Sequence, residues 1–330
     1  MRLYGAIDLH SNNNLIDLLD ERDKVVYERR LPNDLSLVLS ELEPYRDELE
    51  VLAVESTYNW YWLVDGLQEA GYRVVLVNTA KVPVYEGLKS ADDRSDARHL
   101  AHLLRLGVLP TGYIYPKKER AIRDLLRKRA QLVRHRTAHS LSIQNLWARN
   151  TGTKAGADIS AGTEPDLNRR SAIESSQTVI GCLSREIDGL EEKVLEQVRP
   201  REDWKAIEEV PGIGKILGLT ILLEMGEIGR FKKAGQFSSY CRCVGSEWTS
   251  NDKKKGQGNR RNGNKYLSWA FMEAANFAIR YYDPIKRFYQ RKLKKTHRVV
   301  ALKAVAHKLS KATYHVLRDK TEFDMKKAFG

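Results

Sequence analysis

Residues 3–10, LYGAIDLH, decide how the first third of the chain is read. Their pattern is that of a β-strand, apolar but for Asp8 and the closing His10. A carboxylate inside such a strand is costly unless it is paired or coordinated, which makes Asp8 a candidate functional residue. Working outward, residues 14–31, NLIDLLDERDKVVYERRL, read as two further strands around an Asp/Arg/Asp turn, a hairpin by their period. Residues 33–49 have helical spacing, with Asn33 or Asp34 as the N-cap. VLAVES (51–56) is a short buried strand, NWYWLVDGLQEAGY (59–72) a helix closing at Gly71, and RVVLVN (73–78) another buried strand.

The resulting order, β-β-β-α-β-α-β, combines three antiparallel strands with right-handed βαβ crossovers. It predicts a ribonuclease-H-like (RuvC-like) sheet in which the first strand is central and the fourth lies beside it. From Lys117 to Arg149 the pattern turns helical and very basic. NTGTKAGADISAGTEPD then predicts a flexible loop near 151–166. In the next helix Ile180, Leu183, Ile187, Leu190 and Val194 step by three and four, which fits a self-contained antiparallel arm and a dimerising coiled coil equally well. Beyond Pro200 come VPGIGKILGLTILLEMG, a polar basic loop, and helices over 265–282 and 299–317. The expected class is therefore α/β plus mainly α: an α/β domain over 1–115, a helical coiled-coil arm over 116–200, and a mainly helical domain over 201–330.

The chain carries 56 Lys plus Arg against 43 Asp plus Glu, a net charge of +13. Residues 1–110 sum to −7 and residues 111–330 to +20. An acidic head on a basic body fits a nucleic-acid partner, although solubility alone would produce the same count. No apolar run approaches a bilayer's thickness, and MRLYGAIDLHSNNN lacks the apolar core of a signal peptide, so a cytoplasmic protein without membrane contact is expected. Cys182, Cys241 and Cys243 include one C-x-C pair with no second pair or nearby His, which favours reduced packing cysteines over a zinc site.

Asp8 falls near the middle of strand one and Glu55 at the end of the strand expected beside it. Neighbouring strands lie about 4.8 Å apart, so the two carboxylates can meet at one edge. KSADDRSDARHL (89–100) adds Asp93 and Asp96, one helical turn apart on one face, with Asp92 facing elsewhere. Ser90 with Asp93 also resembles a capping box, and acidic first turns gain from the helix dipole. Asp96, however, lies past the first orphan amides, and a divalent cation would relieve its repulsion of Asp93. Four such carboxylates form the hard oxygen cage that Mg²⁺ prefers, and Mn²⁺ suits the same ligands.

In the basic half, Gly212 and Gly214 have the G-h-G spacing of a helix-hairpin-helix element, whose amides would face a phosphate while Lys215 adds charge. A glycine turn between packed helices explains the same residues. VGSEWTSNDKKKGQGNRRNGNKYL follows, setting Lys253, Lys254, Lys255, Arg260, Arg261 and Lys265 among Gly, Asn and Gln. It predicts a mobile loop that orders on a phosphate backbone. RYYDPIKRFYQRKLKK (280–295) interleaves aromatic and basic residues as nucleic-acid surfaces do, although such aromatics are more often core.

Asp8 in GAIDLH, Glu55 in AVEST and Asp93/Asp96 in DDRSDAR together resemble the DEDD catalytic head of transposases of the insertion sequence one-ten family, relatives of Piv-type DNA invertases and RuvC resolvases. VPGIGKILGLTILLEMG with the segment from FSSYCRC to NKYL resembles that family's C-terminal transposase domain, so the likeness covers nearly the whole chain. It implies Mg²⁺ held by the four acids and a loop serine, Ser250, as nucleophile. Gly245 stands where the family commonly has proline and Asn251 where glycine is usual, so Ser246 stays an alternative. The likeness further implies a prokaryotic, nucleoid-associated recombinase acting on double-stranded donor and target DNA, guided by a noncoding bridge RNA, and working as a dimer or tetramer. Two other readings compete with it: a RuvC-like metal-dependent junction nuclease, and a non-catalytic nucleic-acid-binding protein.

Overall fold

The computed structural model describes residues 1–82, 93–153, 162, 164–245, 247–250, 253–257 and 262–330. The chain divides into two compact units, Met1–Lys117 and Lys118–Gly330.

In the first unit, strands β1 (Leu3–Leu9), β2 (Asn13–Leu19) and β3 (Val25–Pro32) precede helix α1 (Leu35–Leu42). Strand β4 (Leu49–Glu55), helix α2 (Tyr61–Glu69), strand β5 (Val74–Val77), helix α3 (Asp93–Arg105) and the short β6 (Thr111–Gly112) complete it. The sheet order is β3-β2-β1-β4-β5-β6, so β1 is central with β4 beside it, as the strand order predicts. β1–β2 and β2–β3 are antiparallel, whereas β1–β4 and β4–β5 are parallel. The β2–β3 turn comes at Asp23, which takes a positive φ of 62°, a conformation that Asp tolerates better than most residues. Asp34 caps α1 by accepting from the Ser36 and Leu37 amides, and Gly71 (φ 89°) follows the end of α2.

Apolar residues cover both faces of the sheet. Ile7, Ile16, Leu52 and Val54 pack with α1 and α2, while Ala6, Leu19, Ala53 and Val77 pack with Leu100, Ala101 and Leu103 of α3. The period of two therefore places Asp8, two residues after Ala6, and Glu55, two after Ala53, on the α3 side.

The second unit is helical apart from one hairpin. Helices α4 (Lys117–Thr151) and α5 (Leu167–Val198) come first, α4 beginning at the residue that closes the first unit. Arg129 pairs with Glu191 at 2.7 Å, Arg136 donates to Ser184 at 3.2 Å, and Ile143 packs with Ile173. The partners descend on one helix as they ascend on the other, so the pair is antiparallel. Along the expected stripe Ile187 and Val194 are buried, and Ile180, Leu183 and Leu190 are half-buried. Most of the loop expected near 151–166 lies outside the described residues.

Next come α6 (Glu202–Glu208), α7 (Lys215–Met225), α8 (Ala234–Tyr240), strands β7 (Glu247–Ser250) and β8 (Lys253–Gln257), then α9 (Lys265–Tyr281), α10 (Asp283–Leu293), α11 (Arg298–Arg318) and α12 (Met325–Phe329). Helix α7 is apolar on all sides and accordingly buried from Leu217 to Met225, packed with Phe237, Phe271, Ala274, Val305 and Leu309. Its buried charged residue, Glu224, is 2% exposed. Arg127 from α4 forks onto it at 2.6 and 2.8 Å, and the Asn264 amide, which also caps α9, donates at 2.7 Å.

Two expectations need correction. The basic segment read as a mobile loop contains an antiparallel β7–β8 pair, in which backbone pairing sets Glu247 against Gln257 and Ser250 against Lys253 despite the low strand preference of Lys and Gly. Cys241 and Cys243 are buried as packing cysteines should be, with burial pushing the Cys243 thiol up to about 12, but Cys182 is exposed on α5.

Candidate active site

Asp8 reaches the sheet interior because β1 is hemmed by β2 and β4, and it is 4% exposed. The β1–β4 register pairs Ile7 with Val54, so Asp8 and Glu55 are the next residues in step. Glu55 lies within hydrogen-bonding reach of Asp8 and feels the charge of Asp96. Its carboxyl is pushed up to about 8, first by burial, then by the hydrogen bond and charge of Asp8, then by Asp96. Three of the four sequence-selected acids thus converge. Asp93 opens α3 one turn before Asp96, its side chain lying outside the described residues, as do Asp92 and Ser90.

Helix α3 is fastened to the β2–β3 hairpin by three basic residues at helical spacing. Arg98 Nη2 donates to Glu28 at 2.6 Å and Arg98 Nε lies 3.3 Å from Asp17. His102 Nδ1 is 2.9 Å from Asp23 Oδ1, and Arg105 Nε donates to the same carboxylate at 2.6 Å. The Arg105 guanidinium and His102 hold the Asp23 carboxyl below its usual range, whereas burial raises Asp17 to about 6 against the opposing pull of Arg98. At the other end, the Asn33 and Asn59 side chains both donate to the His10 carbonyl at 3.0 Å, bracing the turn after β1.

The His10 ring places Nε2 3.3 Å from Asp8 Oδ2. Sequence reasoning missed His10 and the Arg98 braces; the signal available was the Arg-His-Arg spacing of 98, 102 and 105 opposite an acid-containing hairpin.

Among the described residues no three His, Cys, Asp or Glu side chains stand close enough to hold a metal ion. The donor chemistry nevertheless fits one, since a carboxylate cluster in which Glu55 is pushed up is what a hard divalent cation would neutralise.

In the second unit Ser250 is the last residue of β7 and pairs in register with Lys253; Thr249 pairs with Lys254. Lys253 and Lys255 are exposed, as is Lys265 at the start of α9, whose ammonium lies 5.2 Å from the Tyr266 ring centroid. Ser246, Asn251, Arg260 and Arg261 lie outside the described residues, and of Lys254 only the strand position is described.

Gly212 has φ 79°, and a Cβ there would stand 2.2 Å from the Ala274 carbonyl oxygen, so close packing against α9 already requires glycine. Gly214, the N-cap of α7, faces open space, and Lys215 is exposed, its amine 3.9 Å from Glu191. Arg242 (φ 56°) donates to the Asn262 and Gly263 carbonyls, and the Asn264 amide donates to Tyr240, which closes the base of the segment carrying the hairpin.

Comparison with known proteins decides the family. The DEDD transposase model of IS110 elements matches residues 6–148, and the model of the IS116/IS110/IS902 transposase family matches residues 205–290. The chain belongs to the IS110 family of transposases. It is 24% identical over 281 residues to the transposase for insertion sequence element IS1111A of Coxiella burnetii, covering 80% of this chain and 74% of that one. It is also 23% identical over 224 residues to the putative transposase y4qE of Sinorhizobium fredii, covering 66% and 55% respectively. As a DNA transposase it has DNA as its substrate, and no described helix is long and apolar enough to cross a membrane. The DEDD match spans Asp8, Glu55, Asp93 and Asp96; the C-terminal match spans Gly212, Gly214, Lys215, Ser250 and the basic segment after it.

Proposed function

We propose that this transposase is a site-specific recombinase that cleaves and rejoins double-stranded DNA through a serine-linked intermediate. The observation that carries the reading is the meeting of Asp8, Glu55 and Asp96 on the α3 face of the sheet, in a chain whose other unit has Ser250 at the end of a hairpin strand, in register with Lys253. Asp8, Glu55, Asp93 and Asp96 would hold Mg²⁺ or Mn²⁺. The cation, when bound, supplies charge stabilisation at the scissile phosphate.

Ser250 Oγ attacks that phosphate and loses its proton. The bond from phosphorus to the 3′ oxygen breaks, and the departing oxygen takes up a proton as a free 3′ hydroxyl. The phosphate stays on the 5′ end as a phosphoserine. A partner strand's 3′ hydroxyl then attacks the phosphoserine and restores the serine hydroxyl, so the bond energy is conserved without a nucleotide cofactor. Lys253, Lys254, Lys255, Arg260, Arg261 and Lys265 offer the positive charge that an anionic transition state requires. Gly214 and Lys215, with Gly212 shaping the turn, add a phosphate contact.

A bridge RNA would carry sequence choice by base pairing, which suits a basic body without a recognition-helix signature. The antiparallel arm would join subunits into dimers and tetramers on paired DNA, in a cytoplasmic, nucleoid-associated setting.

The test is a nicked duplex that traps covalent product, with Ser250→Ala and Asp8→Asn as variants. We expect a protein–DNA adduct that both substitutions abolish. Strand cleavage that survives Ser250→Ala would transfer the reading to a junction nuclease using water. Sequencing of nucleic acid retained through a high-salt wash tests the guide: one discrete RNA supports it, and a heterogeneous mixture removes it.

A further inference from the structure

From Pro284 to Arg318 the chain contains eleven Lys and Arg and no Asp or Glu. This is most of α10, the connection after it, and α11. Ile285, Phe288, Ala301, Val305 and Leu309 turn inward to the core, and residues 291–300, RKLKKTHRVV, are exposed without exception. Among the described residues no carboxylate forms an ion pair with any Lys or Arg from 286 to 311; the pairs His315–Asp319 and Lys320–Glu202 involve only residues beyond the corner. The two helices also bring their cations together. The Lys308 amine is held below its ordinary range by burial and by the charges of Arg291, Lys292 and Lys311.

A fold that gathers this much like charge without an internal counter-charge offers a strong attraction to an external polyanion, which displaces the small counterions that otherwise screen it. We propose that the α10–α11 corner is a docking surface for the phosphate backbones of duplex DNA, an assignment that rests on the DNA-transposase reading. The duplex is favoured over single strands because no Phe, Tyr or Trp from 284 to 318 is exposed: Phe288 is 9% exposed and Tyr289 packs against the core, and the exposed tyrosines, Tyr281 and Tyr282, lie at the far end of α10 from the corner. Leu293, Val299 and Val300, 41, 66 and 53% exposed, add apolar surface suited to sugar faces in a groove.

The test uses the full chain without divalent metal, so that binding is read apart from serine chemistry, and compares two variants with equal charge change. Lys294→Glu/Lys295→Glu should weaken binding to a duplex of about 30 base pairs at least about tenfold, and reduce the slope of log affinity against log salt by about 2. Lys232→Glu/Lys233→Glu, equally exposed before α8, should leave both within about twofold. Equal loss in the two variants would overturn the proposal. So would loss confined to a folded RNA or to phosphatidylserine vesicles. If the reversed pair unfolds, Lys292→Ala/Lys294→Ala reads the same slope, again reduced by about 2. An absent phosphoserine adduct with this binding result intact would remove the serine mechanism alone.

Discussion

Folding strongly alters the chemistry of Glu55. Its carboxyl rises from 4.5 to about 8, so between those values the folded chain binds more protons than the unfolded one. Stability contributed by this group is full below pH 4.5 and is lost as pH climbs through 8. Asp17, raised to about 6, acts in the same direction over a lower window. In chelator the melting temperature should therefore fall from pH 5 to pH 8.5. Asp8→Asn, by removing the first charge beside Glu55, should flatten the upper half of that decline, and Mg²⁺ should raise the melting temperature at pH 8.5 in the parent but not in the variant. A decline unchanged by Asp8→Asn would separate Glu55 from Asp8. Glu224 provides a second residue-scale expectation. Glu224→Ala leaves the Arg127 guanidinium and the Asn264 amide without their acceptor and should cost about 3 kcal/mol in denaturant unfolding.

At the scale of elements, α3 carries Asp93 and Asp96 and is itself held in place by other parts. Arg105→Ala removes its bond to Asp23 and should lower the denaturant midpoint of unfolding by a small amount, less at high salt. Arg98→Ala should lower DNA cleavage and weaken Mg²⁺ activation, because Arg98 sits half a turn past Asp96 and fixes the helix against β2 and β3. The strands were legible from sequence, since a period of two with few polar interruptions leaves little choice. Asp8 and Glu55 were legible because an acid in such a strand has few structural explanations. The braces were not: Arg98, His102 and Arg105 look like an ordinary solvated face until the hairpin acids opposite are placed. The G-h-G motif was legible only in part. Its first glycine answers to α9, more than sixty residues later in the chain, a contact that no local pattern encodes. Gly212→Ala should accordingly destabilise by about 3 kcal/mol, whereas Gly214→Ala, facing open space, should be tolerated and read only on DNA affinity.

Across the whole molecule, the acids and the serine belong to different compact units, an acidic head and a basic body joined through α4. One chain could bring its own head to its own hairpin, or an oligomer could combine the head of one subunit with the serine of another. The long antiparallel arm favours the second arrangement, because several of its stripe residues stay half-buried within one chain and can still be covered by a neighbour. Two individually inactive variants separate these cases. Asp8→Asn lacks the carboxylate but keeps Ser250, and Ser250→Ala lacks the proposed nucleophile but keeps the four acids. If the site is shared between subunits, mixed oligomers contain some sites assembled from the intact head of one variant and the intact serine of the other. The mixture should then recover a quarter or so of the parental adduct, by the random pairing of equal amounts, where either variant alone gives none. Recovery should disappear on dilution below the concentration at which the oligomer dissociates, measured in parallel by light scattering. A mixture as inactive as its components would place both groups of the site in one chain and leave the arm with a purely internal role.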